Sequence, residues 1–448
     1  MRLSGLQNIK RIYFIGIGGI SMSALAKCLR ERGYYVSGSD AFKGEQVEKL
    51  QELGIIVFFG SDCTREDIVN ADAVVYTDAI SELHCELLAA KKMQKRIYSR
   101  AELLALICDD FPNVITVAGS HGKTTCTSMC AHIFRHLNAP FTAHIGGEDS
   151  QLSNYFSSGT EYFLTEACEY KKNLLKFSNQ VAVLLNIDKD HMECYAGEED
   201  LESSFHRYCL QAERAFVCGD DERCKRWGQF QTFAIHNPLA DYRAVDIRAV
   251  GERYTFTVEE YGKALCRVRL NAVGRCNIYN ALAAFAAARS FGFNEESIAQ
   301  GLCGFTAVKR RFEKIGECRG ASFICDYAHH PREIISTVAT AKSLAKKNLY
   351  VVFQPHTYSR TKLLMEDFVK ALRPIKNLMI YKTYPARETY DRAGSGEFLA
   401  ERVGSLYANS IYALKIWLKS TIKENDTVLF LGAGDIYFAA QYLLKELE

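Results

Sequence analysis

Gly119-Ser120-His121-Gly122-Lys123-Thr124-Thr125 follows the apolar run 114–118 and leads directly into the helix-like stretch 126–137. That order is a strand, a glycine-bearing turn and a helix start. Backbone N–H groups at such a turn hold phosphate oxygens. Lys123 is placed to neutralise β- and γ-phosphates, and Thr124 to ligate Mg²⁺. The spacing departs from the usual phosphate-loop pattern: its first glycine would fall at Val117, and this chain offers Gly119 instead. A plain strand-to-helix turn is the competing reading. It leaves the lysine unexplained, because the positive end of a helix dipole disfavours a cation. The loop therefore predicts ATP, held by Gly119, Ser120, His121, Gly122, Lys123, Thr124 and Thr125.

Two further strands flank this motif in sequence. The β-rich run 162–165 delivers Glu166, and the apolar run 181–187 ends in Asn186-Ile187-Asp188-Lys189-Asp190-His191. If both run parallel to the strand before the loop, Glu166 and His191 emerge at the same carboxyl edge as Lys123. Glu166 would then neutralise one Mg²⁺ and neutral His191 would serve a second. A solvated strand-end carboxylate and a capping role for Asp190-His191 are the competing readings. Glu169 is a second carboxylate one step on, with Cys168 between the two.

Near the N-terminus, Gly16-x-Gly18-x-x-Ser21 follows a strand-like run and opens a helix-like one. Asp40 lies where an acidic residue would meet a ribose hydroxyl. The pattern predicts a pyrophosphate against a helix N-terminus, which suits NAD and a UDP-linked compound equally. Farther along, Asn277 and Asn280 share one face of an Ala-rich helix predicted over 276–289, where they either read an adenine edge or cap the helix. Asp326-Tyr327-Ala328-His329-His330-Pro331 and Gln354-Pro355-His356-Thr357-Tyr358-Ser359-Arg360-Thr361 each end a C-terminal strand. Histidine, arginine and aromatic residues crowded at two strand ends predict an anion-binding or catalytic edge.

The 448 residues exceed one ordinary core. The alternation of strand-like and helix-like runs predicts parallel sheets covered by helices. A polar segment at 109–113 and a second break past 310–313 divide the chain into domains at 1–110, 111–315 and 316–448. A net charge of +2 offers no electrostatic basis for a nucleic-acid or anionic-membrane partner. No run reaches the roughly 18 apolar residues of a membrane span, and no stretch resembles a signal peptide, so a cytoplasmic protein is expected. The 16 cysteines are scattered without a CxxC, which predicts reduced, mostly buried thiols rather than disulfides or zinc.

The ordered set resembles the Mur ligase family over nearly the full chain: 16–24 with Ser39-Asp40, 119–125, 166–170, 186–191, 274–284, 310–313, 326–331, 354–361, 384–388 and 432–436. The resemblance implies three α/β domains: a Rossmann-like UDP-binding domain, a central P-loop ATPase-type domain and a C-terminal Rossmann-like domain. It implies ATP-dependent ligation of L-alanine to UDP-N-acetylmuramate through an acyl phosphate, with ATP and Mg²⁺ as cofactors, by a monomer or homodimer. Residue by residue, it places Lys123 on phosphates and Thr124, Glu166 and His191 on magnesium. Asn277 and Asn280 go to adenine, with Arg311 and Asp326 near phosphates and ribose. His329, His356 and Arg360 go to the amino-acid and acyl-phosphate region, and Gly16, Gly18, Gly19, Ser21, Ser39 and Asp40 to the UDP sugar. Three departures stand out: Ser120 in place of threonine, Cys276 in place of histidine, and Glu-Ala-Cys-Glu-Tyr at 166–170 in place of Glu-Ala-Asp-Glu-Ser. Lys189 is read as exposed rather than modified. A relative that attaches a whole tripeptide to the same UDP sugar is the neighbouring alternative. A nicotinamide-dependent oxidoreductase and a non-catalytic nucleotide-binding subunit are the others.

Overall fold

Three sheets, each strand-rich in β-branched and aromatic residues, organise the chain in the computed structural model, which describes residues 3–251 and 253–447. The first contains β1 (Arg11–Ile15), β2 (Tyr35–Asp40), β3 (Ile56–Phe59), β4 (Ala73–Tyr76) and β5 (Arg96–Ser99) in the order β3-β2-β1-β4-β5. All its pairings are parallel, and the order in which strands are added reverses between β1 and β4. That is the doubly wound arrangement whose crevice takes ligands at the strand carboxyl ends.

The second sheet has ten strands: β6 (Asn113–Ala118), β7 (Phe141–Asp149), β8 (Ser153–Ser157), β9 (Tyr162–Glu166), β10 (Val181–Leu184), β11 (Arg214–Cys218), β12 (Gln231–Ala234), β13 (Tyr242–Val250), β14 (Arg253–Glu260) and β15 (Lys263–Leu270). At its centre β10 and β9 flank β6, both parallel to it. The carboxyl ends of all three therefore meet at the phosphate loop, as the sequence predicts. β6 is buried along Val114–Ala118 on both faces, which explains its unbroken apolar pattern.

The third sheet contains β16 (Glu313–Cys318), β17 (Ala321–Asp326), β18 (Leu349–Phe353), β19 (Asn377–Tyr381), β20 (Leu406–Ala408) and β21 (Thr427–Leu431), in the order β16-β17-β21-β18-β19-β20. Its two faces bury separate clusters, with Phe323, Val352 and Phe430 on one side and Val351, Phe353 and Leu429 on the other. One compact unit carries the first two sheets, through Arg248 with Thr255–Leu270 and Ile278–Thr306. The second carries the third sheet, from Ala307 onward.

The structure corrects the purely parallel expectation in three places. β7–β8 and β16–β17 are antiparallel. β14 and β15 form a hairpin on Tyr261-Gly262, both at positive φ (50° and 76°), which suits a right-handed ladder. A further correction concerns the strand expected over 181–187, which ends at Leu184. Leu185 and Ile187 stay buried in a loop, so apolarity outlasts the ladder. The predicted helix at 276–289 has those bounds, whereas the loop helix starts at Lys123, three residues before the predicted stretch. All 16 cysteines are free thiols. Among the described residues no helix is long and apolar enough to cross a membrane.

Candidate active site

The phosphate loop turns on two glycines at positive φ, Gly119 (134°) and Gly122 (88°), the second being the N-cap of the helix Lys123–His136. A Cβ on Gly122 would sit 2.5 Å from Asn280 Oδ1, so glycine is demanded by both backbone and space. The same proximity places Asn280 beside the loop. The loop is stitched to the segment after β10. His121 N–H donates to Asn186 Oδ1 (2.9 Å), and Asn186 Nδ2 donates to the His121 carbonyl (3.0 Å). Ser120 Oγ donates to the Asp188 carbonyl (3.1 Å) and accepts its N–H (2.8 Å). A hydroxyl is what this position requires, so the serine-for-threonine departure keeps the function of the side chain.

Lys123 Nζ donates to both oxygens of the buried Glu169 (3.0 and 2.9 Å) and to the carbonyls of Gly119 (2.5 Å) and Ser120 (3.3 Å). Burial alone would lower its pKa, but Glu169, with help from Cys168 and Glu166, raises it above the usual lysine range. The ammonium is thus permanent and fixed at the loop mouth, where phosphate charge would arrive.

Glu166 is the last residue of β9, and its Oε1 accepts the Gly146 N–H from β7 (2.6 Å). His191 is gathered with Glu169 and Asp190 rather than with Glu166: one ligand atom from each of those three lies within 4.8 Å of the others. Sequence reading noted Glu169 without a role and missed Asp190. Oxygen donors with one imidazole suit a hard divalent cation. His191 sits in the left-handed region (φ 54°), held by its N–H on Asp190 Oδ1 (2.9 Å), with Tyr170 edge-on to its ring at 5.1 Å. Lys189 pairs at the surface with Glu198, as an unmodified lysine would.

In the first sheet, the N–H groups of Gly16 and Ile17 donate to the Ser39 carbonyl (2.8 and 3.0 Å), closing the glycine turn against β2. Asp40 Oδ2 accepts the Gly18 N–H (2.7 Å), so this carboxylate braces the loop itself. Ser39 Oγ donates to the fully buried Glu86 (2.5 Å), which also accepts from Tyr13 OH (3.1 Å). Gly19 is the N-cap of the helix Ile20–Glu31. Ser21 Oγ contacts His144 Nε2 (2.8 Å) and Arg100 NH1 (3.3 Å). The N–H groups of Gly16, Ile17 and Gly18 and both serine hydroxyls thus serve the scaffold of the turn.

In the second unit, Asp326 is half-buried at the end of β17, accepting the N–H groups of Phe312 and Ala328 (both 2.8 Å). Burial raises its pKa, and the nearby Arg311 opposes that shift. Arg310 and Arg311 both lie 4.9 Å from the Tyr327 ring. His329, His356 and Arg360 do converge: the two imidazole rings are 5.8 Å apart, and Arg360 NH1 reaches His356 Nδ1 (3.2 Å). Because arginine only donates, His356 Nδ1 accepts and its proton resides on Nε2. His329 Nδ1 instead faces the Tyr327 carbonyl (2.9 Å), an acceptor, which puts the proton on Nδ1 and the lone pair on Nε2. Beside them, Tyr384 stacks on His356, and a cleft of about 320 Å³ opens among Gln354, Tyr358, Lys382, Tyr384, Tyr390 and Asp435. Sequence reading left the Gly432-Ala433-Gly434-Asp435 turn without a function. A signal existed in its glycines: a Cβ on Gly434 would meet Gln354 Oε1 at 2.5 Å and Tyr384 Cβ at 2.6 Å. Asn277 lies at the second position of its helix, and its Nδ2 donates to the Val273 carbonyl (2.6 Å).

Comparison with known proteins agrees with this arrangement along the whole chain. Residues 11–112 match the Mur ligase family, catalytic domain; residues 117–288 match the Mur ligase middle domain; and residues 310–434 match the Mur ligase, glutamate ligase domain. The UDP-N-acetylmuramate–L-alanine ligase of Caldicellulosiruptor bescii is 37% identical, over 98% of this chain and 99% of that protein. The corresponding ligase of Clostridium tetani is 37% identical, over 99% of this chain and 100% of its own length. The crystal structure of UDP-N-acetylmuramate-alanine ligase MurC from Thermotoga maritima superposes with a TM-score of 0.83 at 27% identity, covering 97% of this chain and 98% of that one.

Proposed function

The chain belongs to the Mur ligase family, and we propose from that premise that it joins L-alanine to the lactoyl carboxylate of UDP-N-acetylmuramate at the expense of ATP. The observation that carries the reading is the buried Lys123–Glu169 pair at the mouth of a phosphate loop, inside a chain similar along its whole length to ligases of that name. The carboxylate of the sugar attacks the γ-phosphorus, ADP departs, and the resulting acyl phosphate is attacked by the amine of alanine. Phosphate then leaves as the amide forms. A carboxylate approaching a polyphosphate meets strong repulsion, which the permanent ammonium of Lys123 and the loop N–H groups reduce. One preorganised donor or charge of this kind is worth roughly 3–4 kcal/mol in a transition state.

Thr124 and Glu166 would hold one Mg²⁺, and Glu169, Asp190 and His191 a second. When bound, the ions would neutralise phosphate oxygens, and the oxygen-rich set around His191 fits that requirement. The amine of alanine must lose a proton before it attacks. His329 is the better base of the two histidines, because its Nε2 carries the lone pair while Nε2 of His356 carries a proton. Arg360 and the tyrosine-lined cleft beside His356 supply the surroundings for the amino acid. Asn280 beside the loop and Asn277 on the same helix are the candidates for an adenine site, and Arg311 and Asp326 keep the phosphate and ribose roles that the family resemblance implies. The Gly16–Ser21 turn receives the UDP end. The extents of the sheets support a domain limit near residue 110, whereas a limit at 315 would cut β16, so the second limit is better drawn before Glu313. Substrates that are nucleotides and amino acids support a cytoplasmic place of action.

Phosphate release with Mg·ATP and UDP-N-acetylmuramate, with and without L-alanine, tests the proposal. Glycine, L-serine and the tripeptide serve as parallel acceptors. Release that requires both the sugar nucleotide and L-alanine is expected. Release with the tripeptide alone would make the chain a recycling ligase, and silence with ATP still bound would reduce it to a nucleotide-binding protein.

A further inference from the structure

We infer that His144 is a positioning residue, bridging the UDP-binding turn of the first sheet to the strand end that carries Glu166. The inference rests on the ligase reading above and goes beyond it, because His144 belongs to neither nucleotide site. It lies in β7, is 3% exposed, and touches a hydroxyl on each side. Nε2 meets Ser21 Oγ (2.8 Å) at the start of the helix Ile20–Glu31, and Nδ1 meets Thr165 Oγ1 (3.0 Å), one residue before Glu166.

The hydrogen bonds have a direction. Arg100 NH1 only donates, so Ser21 Oγ accepts from it (3.3 Å) and turns its own proton toward His144 Nε2. His144 then carries its proton on Nδ1 and donates to Thr165. Burial, assisted by the Arg100 charge, pushes the imidazole pKa down to about 4, so the neutral tautomer that this chain of bonds needs persists throughout physiological pH. Two residues further along the same strand, the Gly146 N–H holds Glu166 Oε1 (2.6 Å). β7 is thus a single beam, laddered along β9, which reaches the UDP turn through His144 and the end of β9 through His144 and the Gly146 N–H. A shift of β7 moves Glu166 and Ser21 together, and misplacement near 1 Å at such sites costs up to about 10²-fold in rate.

The seam between the two sheets does not depend on His144 alone. Lys27 Nζ donates to Asn154 Oδ1 (2.7 Å), Asn154 Nδ2 donates to the Ile20 carbonyl (2.6 Å), and Gln46 Nε2 donates to Glu148 Oε2 (2.8 Å). A variant at 144 keeps these anchors, so local positioning separates from folding.

The test uses full-length His144→Leu and, independently, Thr165→Val, which removes the far partner and keeps the imidazole. Steady-state kinetics with each substrate varied is paired with calorimetric binding of UDP-N-acetylmuramate. Expected for His144→Leu is at least a ~10-fold loss in kcat/KM for the sugar nucleotide and weaker binding of it, with KM for L-alanine within about twofold of the parent. Thr165→Val should show the same pattern at smaller size, and it decides the question if His144→Leu does not fold. Sugar-nucleotide constants within about twofold of the parent in a folded variant would overturn the inference, as would equal losses for every substrate. Failure of the ligase reading is a different result: the parent itself would neither bind the sugar nucleotide nor release phosphate with it.

Discussion

Replacing Glu169 with glutamine should expose how the phosphate-loop lysine is kept charged inside the protein. The Lys123 and Glu169 side chains are 15% and 1% exposed, and Nζ lies 2.9 Å from one carboxylate oxygen. At that separation two unit charges attract by roughly 6 kcal/mol at an effective dielectric constant of about 20. Desolvation of both ions offsets part of this, and removing one partner of a buried pair costs about 3–5 kcal/mol. Glutamine preserves shape and one acceptor, and the Gly119 and Ser120 carbonyls still accept from Nζ, so the lower end, about 3 kcal/mol, applies. In a unit of this size the melting midpoint should fall by roughly 6 °C. The pH dependence is the sharper part. In the parent, Glu169 raises the folded pKa of Lys123, so its stabilisation is complete below the unfolded value near 10.4 and is lost only as pH rises through the higher folded value. In the variant, burial acts without the counter-ion and the folded pKa drops below the unfolded one. The variant therefore gains stability as pH approaches about 10, while the parent does not at this site. Thermal melts of both proteins at about pH 7, 8.5 and 10 should show the widest gap at the lowest of these values. A gap under about 1 °C near pH 7, or one that stays constant across the series, would refute the reasoning.

Lys123→Ala should lower turnover by at least ~10²-fold, and near-normal phosphate release would remove the loop from the mechanism. Gly122→Ala places a Cβ 2.5 Å from Asn280 Oδ1 on a backbone at φ 88°. A stability loss of about 1–2 kcal/mol with weakened ATP binding is expected, measured by melting and by nucleotide titration. If His329 is the base, His329→Gln should flatten the acidic limb of the rate profile for amide formation, and His356→Gln should preserve that limb while raising KM for L-alanine. The reverse pattern would exchange the two assignments.

The phosphate loop was legible in the sequence because it is local: seven consecutive residues contain the turn, the lysine and the helix start. Glu166 was legible for a related reason, since parallel strands beside a known loop have one carboxyl edge and the strand-end residue is fixed by chain direction, whereas His191 lies well past the end of β10 at Leu184. Which carboxylate meets which partner was not legible. Glu166 turns to the Gly146 N–H, and Glu169 takes both Lys123 and the neighbourhood of His191, because the chain leaves β9 at Glu166 and bends before the short helix Tyr170–Lys176. Nothing in the composition of 166–170 announces that bend. His144 was silent for the opposite reason. A histidine inside the apolar run at 141–145 looks like a satisfied core residue, and its meaning depends on Ser21, 123 positions away in the chain. The antiparallel additions escaped as well: short runs such as 253–260 alternate weakly, and their pairing is decided by the turn at Tyr261-Gly262 rather than by a crossover helix. The charge proposed for chemistry at a strand end, Glu166, therefore announced itself by its place, whereas the groups that aim it did not. Ser39 and Ser21 mark the limit of what a local sequence pattern carries. Both stand where a phosphate ligand is expected, yet each hydroxyl is committed to a buried partner, Glu86 or His144. The N–H groups of Gly16, Ile17 and Gly18 are committed as well, to the Ser39 carbonyl and to Asp40, so an anion would be left to the N-terminus of the helix Ile20–Glu31. What those two serines secure is the geometry of the turn, and through His144 its distance from Glu166.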